Sequence, residues 1–310
     1  MKRCILTFYG AIIINLAFGQ VTTQEYRDLI AKGMAMYQEK DYKGAAFSFS
    51  SAFKANDWKA LPDDRYNAAC LWAMSDYPDS AFFNLELIAK NSTFNDYNQL
   101  SSDSDLKSLH KDKRWKPLLE IVKQNKVKAD AKLNKPLAQK LETIYFIDQN
   151  NRPKTDSIAQ KYGYNSKELA NFWKAIHAND SIDLLEVEKI LDQYGWLGAD
   201  VVGNKGNSAL FLVIQHSNLK TQEKYLPMMT EAVTKGNAHP QDLALLIDRI
   251  EIRNGRPQIY GSQVSMKDGK YRFDPIIDEA NVNKRREEVG LDPIETYAKH
   301  FNIDYKLSTR

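Results

Sequence analysis

The sequence predicts a mostly α-helical protein in two parts: helical-hairpin repeats first, then an α+β domain of helices with one small β-hairpin. Three observations predict it. Apolar residues recur at helical spacing from Tyr26 to Phe53, and the pattern returns on a shift of 35 residues. A charged, lysine-rich stretch then interrupts the apolar pattern at KVKADAKLNKP. Near the C-terminal end, alternation replaces the helical period around Asp268-Gly269, a pair suited to a two-residue hairpin turn because both central positions need positive φ.

Residues 1–19 read as a secretory signal. Lys2 and Arg3 form a charged start, Cys4 to Phe18 a short apolar run, and Ala17-Phe18-Gly19 a small-residue cleavage site. The run is shorter than the roughly 20 apolar residues a membrane span needs. The expected mature chain begins at Gln20, lies in the periplasm or outside the cell, and has no stable membrane span. It keeps only Cys70, so no intrachain disulfide is expected despite export. The formal charge is +3, of which Lys2 and Arg3 contribute two, leaving +1. Such a chain lacks the basic footprint of a nucleic-acid binder.

Within residues 22–125 the shift of 35 aligns Gly33 with Ala68, Tyr42 with Tyr77, Ala46 with Ala81 and Phe53 with Ile88. Small residues let paired helices approach, and aromatic ones fill the gaps between turns. Period and pattern resemble the tetratricopeptide repeat, a helix–turn–helix unit of about 34 residues, although the Trp and Pro positions of that consensus are missing from the first unit. Asp103 to Val122 resembles the cap that closes such repeat groups in some exported bacterial proteins, where the last apolar face needs a cover. His110 has no second ligand at helical spacing and reads as a surface histidine. The concave face of such repeats commonly binds extended peptides or a partner helix, so a protein partner is one expectation and a packing platform the other.

Residues 126–136 read as the linker, a solvated helix end or connector ending at Pro136. In residues 137–310, Leu137 to Gln149 is an amphipathic helix stopped by Pro153. Ser166 to Asp192 suggests two helical segments with a break near Ala178-Ser181 and Asp180 as N-cap of the second. Gly203 and Gly206 lack the remainder of a phosphate loop. Ser208 to Ile214 and Gln241 to Ile250 read as buried helices that end in polar residues, with Pro227 expected to kink the helix between them. Before the turn, alternation makes Gln258 to Gln263 part of a strand. A bulge at Gly261 is expected to bring Gln263 to the face of Gln258 and Tyr260. Asp278 to Val289 reads as a charged helix and Leu291 to Phe301 as a last short one.

Six phrases in this order, IDQNNR (147–152), GWLG (195–198), VIQHS (213–217), LLIDR (245–249), QIYGSQ (258–263) and VNKRREEVGL (282–291), resemble a bacterial family known only as a domain of unknown function, often exported and sometimes placed after repeats. Leu197 stands where other members often have proline. The resemblance implies a membership and a set of polar positions, but no reaction.

The chemistry of those positions is legible. His216 is the obvious general base, with Asp148 or Asp248 to orient it. Arg249, Arg152 or Arg286 suits an anionic group. Gln149, Gln215, Gln258, Tyr260, Gln263 and Arg285 complete the candidate ligand-binding set. GxSxG, HExxH and paired CxxC are absent, so neither a metal nor another cofactor is expected, and acid–base chemistry is the economical form for an enzyme. Two readings stand: a small-ligand or catalytic site served by the repeats, or a non-enzymatic interaction and scaffold module of an envelope assembly whose polar residues lock the fold. A pocket joining His216, Arg249 and Gln263 separates the first from the second.

Overall fold

The computed structural model describes residues 22–91, 94–267 and 270–307. The expected leader and the Asp268-Gly269 turn lie outside the described residues. Helices dominate, and none among the described residues is long and apolar enough to cross a membrane.

The chain opens with two helical hairpins, α1 (Gln24–Gln38) with α2 (Tyr42–Ala55) and α3 (Pro62–Met74) with α4 (Pro78–Lys90). Local signals start each helix. Thr23 and Asp41 accept the N–H groups of Tyr26 and Gly44 as N-caps, while Pro62 and Pro78 occupy first-turn positions where no donor is needed. Gly33 lets α1 close on α2, since a Cβ there would meet the Phe49 ring at 2.7 Å. Short α5 (Tyr97–Ser102), a 3₁₀ turn (Ser104–Leu109) and α6 (Trp115–Asp130) close the array. Leu106, Leu109, Trp115, Leu118 and Val122 complete a core that begins at Tyr26. His110 is exposed and stacks on Trp115.

The lysine-rich stretch is mostly helix end, because α6 runs to Asp130 and α7 (Lys135–Asn151) begins four residues after Ala131. The Asn134 N–H donates to the Val201 carbonyl at 2.8 Å, tying this connection to the C-terminal part of the chain. A second core then forms from α7, α9 (Lys167–Tyr194), α10 (Ala199–His216), α11 (Leu219–Thr234) and α12 (Pro240–Arg253). A short helix, α8 (Lys154–Tyr162), lies between α7 and α9. Asn218 caps α11, and Pro227 sits inside that helix without ending it.

Two expectations are corrected, one in α9 and one at the hairpin. The break near Ala178 does not exist: α9 is one continuous helix of 28 residues, and Asp180 is a mid-helix ion-pair partner rather than a cap. The segment 203–207 is helical within α10, which is kinked at Gly203. The hairpin is shorter than its alternation implies, with β1 (Val264–Lys267) antiparallel to β2 (Lys270–Phe273) and Val264 opposite Phe273. Residues 258–263 form a folded loop instead of a bulged strand, tied to the segment after β2 by the isolated bridge from Gln258 to Ile276, by the Asp274 N–H donated to the Gln263 carbonyl and by the Gln258 amide donated to the Asp274 carbonyl. A 3₁₀ turn (Glu279–Asn281), α13 (Val282–Glu288) and α14 (Ile294–Lys299) finish the chain.

Candidate functional site

The last turn of α7 places Asp148, Gln149 and Arg152 together. Asp148 and Arg152 are one helical turn apart, and the Arg152 Nε donates to Asp148 Oδ1 at 2.7 Å. The same carboxylate oxygen lies 2.9 Å from Nδ1 of His216, the last residue of α10. Gln149 donates to the other oxygen at 2.8 Å. Burial alone would push the Asp148 carboxyl up. The hydrogen bonds and charges of His216 and Arg152 outweigh it and hold the group at about 2, so the carboxylate is ionised at neutral pH. Nδ1 of His216 is thus engaged, and Nε2 has no hydrogen-bond partner among the described residues. An oriented imidazole with one free nitrogen is the arrangement a general base requires.

The ring of His216 borders a cleft of about 200 Å³ between α7, α9 and α10, with Asp148, His177, Asp180, Asp183 and Ser217 also in its wall. The continuity of α9 makes this wall. His177, Asp180 and Asp183 recur every three residues, so an unbroken helix turns all three toward one side. Arg152 bridges to Asp180 at 2.7 Å, and His177 lies 3.5 Å from the second Asp180 oxygen. Asp183 forms no hydrogen bond or ion pair among the described residues. Burial and the neighbouring charges of Asp180 and Asp148 push its carboxyl up to about 6. The cleft therefore holds an oriented imidazole and a carboxyl whose pKa is raised toward neutrality. Sequence reasoning misses Asp183 and His177, because a helix break inside α9 would scatter them.

The remaining candidates divide from this cleft. Asp248 does not orient His216. It is fully buried, and its oxygens accept the backbone N–H groups of Ile259, Tyr260 and Ser262 at 2.7, 2.9 and 2.9 Å. Gln258, also fully buried, pairs its carboxamide with both the N–H and the C=O of Gln263, as a peptide group would. Arg286 donates to the carbonyls of Asp292, Tyr260 and Gly261, and Arg285 to those of Ile259, Ile277 and Asp278. These side chains and the backbone of Tyr260 form a closed network that shapes the 258–263 loop, which is why the loop is not a strand. Neither Arg286 nor Arg285 is free to hold a ligand.

Arg249 stands between the two groups. Its Nε donates to Gln263 Oε1 at 3.1 Å and its Nη1 to the Gln215 carbonyl at 3.2 Å. Burial, then the charges of Arg253 and Arg152, hold its pKa below the usual guanidinium value. Arg253 donates to the Ser217 carbonyl, one residue past His216. Gln215 is buried, with its carbonyl also accepting from Gln222 and its side chain reaching Leu245. Arg249 and Gln263 thus pair behind the helix end that carries His216 and do not border the cleft, so the expected pocket joining the three is not formed, and His216 shares its cleft with Asp183 and His177 instead.

Away from the cleft, one group among the described residues brings potential metal ligands within 4.8 Å of one another: Cys70, Asp103 and Asp105, in the first core. Asp103 already accepts from Tyr66, Cys70 and the Asp105 N–H, as the cap of its 3₁₀ turn. Burial and the two carboxylates push the Cys70 thiol well up.

A family model described as a family of unknown function (DUF6624) matches residues 135–310. No curated protein and no solved structure matches the chain.

Proposed function

Because the chain belongs to the DUF6624 family through residues 135–310, whose description carries no activity, we propose its function from the cleft itself. The protein is exported to the periplasm or beyond. Residues 137–310 form the domain that binds a small ligand, and proton transfer by His216 and Asp183 acts on that ligand without a metal. One observation carries this reading: His216 is fixed by Asp148 at 2.9 Å, its second nitrogen has no hydrogen-bond partner among the described residues, and it borders a cleft that also holds an unpaired carboxylate. Arg152 positions Asp148 and Asp180. The charged start, apolar run and Ala17-Phe18-Gly19 support export.

Residues 22–125 act as tetratricopeptide-like repeats that recruit a protein partner. The 35-residue period and the two successive hairpins with a closing helix support this.

The test is a thermal-shift screen of small metabolites on residues 20–310. A true ligand raises the midpoint of the wild type and loses that shift in His216→Ala and Asp183→Asn. Turnover of any ligand found to react falls by about 10²–10⁴-fold in His216→Ala, the usual worth of a general base. Hits insensitive to both variants would sink the cleft as the site. The second reading, a rigid interaction module of the envelope, draws on the closed network around Asp248 and Arg286, which serves the fold alone.

A further inference from the structure

A second cavity lies in the N-terminal part, between the second helices of the two hairpins. This groove of about 360 Å³ is walled by Phe53, Trp58, Arg65, Trp72, Phe83 and Asn84. Most of its surface is apolar, yet Arg65 reaches into it from α3 with only 6% of its surface exposed. A buried cation normally has a counter-charge, because desolvation is costly. Arg65 has none: no carboxylate among the described residues forms an ion pair with it. Its guanidinium donates to Asn84 Oδ1 at 3.1 Å and to the Trp58 carbonyl, and its carbon lies 4.9 Å from the centre of the Phe53 ring. The acid in the groove wall, Asp79, is turned to solvent and pairs with Arg114 at 2.8 Å, forming no ion pair with Arg65.

The surroundings suit an extended chain better than a small molecule. Trp58 and Phe83 are large apolar side chains left exposed at the groove, and Phe47 and Tyr77 continue the exposed aromatic line along α2 and α4. The 14 residues of α2 span about 20 Å at 1.5 Å per residue. Trp58 is also held in place by its backbone. It and Asp57 both adopt left-handed φ, 60° and 52°, which side chains disfavour, and Arg65 ties down the Trp58 carbonyl.

We propose that this groove binds an acidic peptide segment, with an Asp or Glu carboxylate received by Arg65 and neighbouring bulky apolar side chains received by Trp58 and Phe83. The inference rests on the repeats recruiting a protein partner, but it places that partner on the seam between α2 and α4. Arg65 and a carboxylate form a charge-assisted pair in a partly desolvated site, and aromatic anchors around it exclude water.

The experiment is selection of a displayed random-peptide library on residues 20–310. Enriched peptides are expected to share an acidic residue beside Phe, Leu or Trp. A synthetic consensus peptide should bind at least tenfold more weakly when its acid becomes the amide, and likewise to Phe83→Ser, Trp58→Ser and Arg65→Lys. Phe83 and Trp58 are exposed, so those two variants keep the fold. A consensus without a carboxylate, or affinity untouched by Phe83→Ser, overturns the proposal. Binding lost instead in Met34→Ser, on the exposed side of α1, overturns this groove and leaves peptide recruitment by the repeats standing. No enrichment at all overturns both.

Discussion

Two aspartates of one cleft, Asp148 and Asp183, meet opposite electrostatic fates. Asp148 is stabilised as an anion by His216 and Arg152, whereas Asp183 is destabilised as one by burial, Asp180 and Asp148. The consequences for stability have opposite signs. Asp148 is held at about 2, below its ordinary 3.8. Its contribution is complete above the ordinary value and disappears as pH falls toward 2. Asp148→Asn should cost about 2–3 kcal/mol at pH 7, less than a fully buried pair because its partners keep some solvent contact. The gap in melting temperature from the wild type should close between about pH 4 and pH 2. For Asp183 the folded value is about 6, so folding takes up a proton between 3.8 and 6. The penalty is absent below about pH 4 and complete above about pH 6. Asp183→Asn should therefore melt roughly 2–4 °C higher at about pH 7.5, the equivalent of about 1 kcal/mol, and no higher at about pH 4. Higher stability with lost ligand response is the signature of a residue kept for function.

At the scale of the element, the 258–263 loop and α9 decide where the site is. Alternation in QIYGSQ suits a strand, but Asp248 gathers three N–H groups of this segment and Gln258 substitutes for a neighbouring strand by pairing with Gln263. Gly261 makes the fold of the loop sterically feasible. Its φ is +69°, and a Cβ would lie 2.6 Å from Ile294 Cδ1. A hydrogen bond to a charged group contributes about 1.5–3 kcal/mol, and the three on Asp248 are not additive. Asp248→Ala should still cost upwards of about 3 kcal/mol and lower the midpoint by roughly 6 °C or more. A midpoint within about 2 °C of the wild type would show that the network does not hold the loop. The sequence of α9 suggests two helices because Asn179-Asp180-Ser181 has the composition of a cap. Arg152 occupies the Asp180 carboxylate from another helix, which removes the competition with the backbone and lets the helix run through.

At the scale of the whole molecule there are two cores, one from Tyr26 to Val122 and one from Leu141 to Ile250. Polar ties join the two parts of the chain: the Asn134–Val201 hydrogen bond, and an ion pair of Arg27 on α1 with Glu287 on α13 at 3.3 Å. Protein recovered from outside the cytoplasm of an expressing bacterium should begin at Gln20, as N-terminal sequencing would show, and an intact Met1 would refute export by a cleaved leader. Helical content, the paired hairpins, the two-stranded sheet and the polar set around residues 148, 216, 248 and 258–263 are legible in the sequence, because each depends on periodicity, caps and turn residues within a few positions. The sorting of that polar set is not. Asp148 and Asp248 look alike in IDQNNR and LLIDR, yet one faces an imidazole 68 residues away and the other a loop 11 to 14 residues on. Which carboxylate has a charged partner, which has only backbone donors and which, like Asp183, has neither depends on how three helices pack. Sequence determined the kinds of groups available. Tertiary structure decided their ionisation and their access to solvent, because both are set by neighbours distant in the chain.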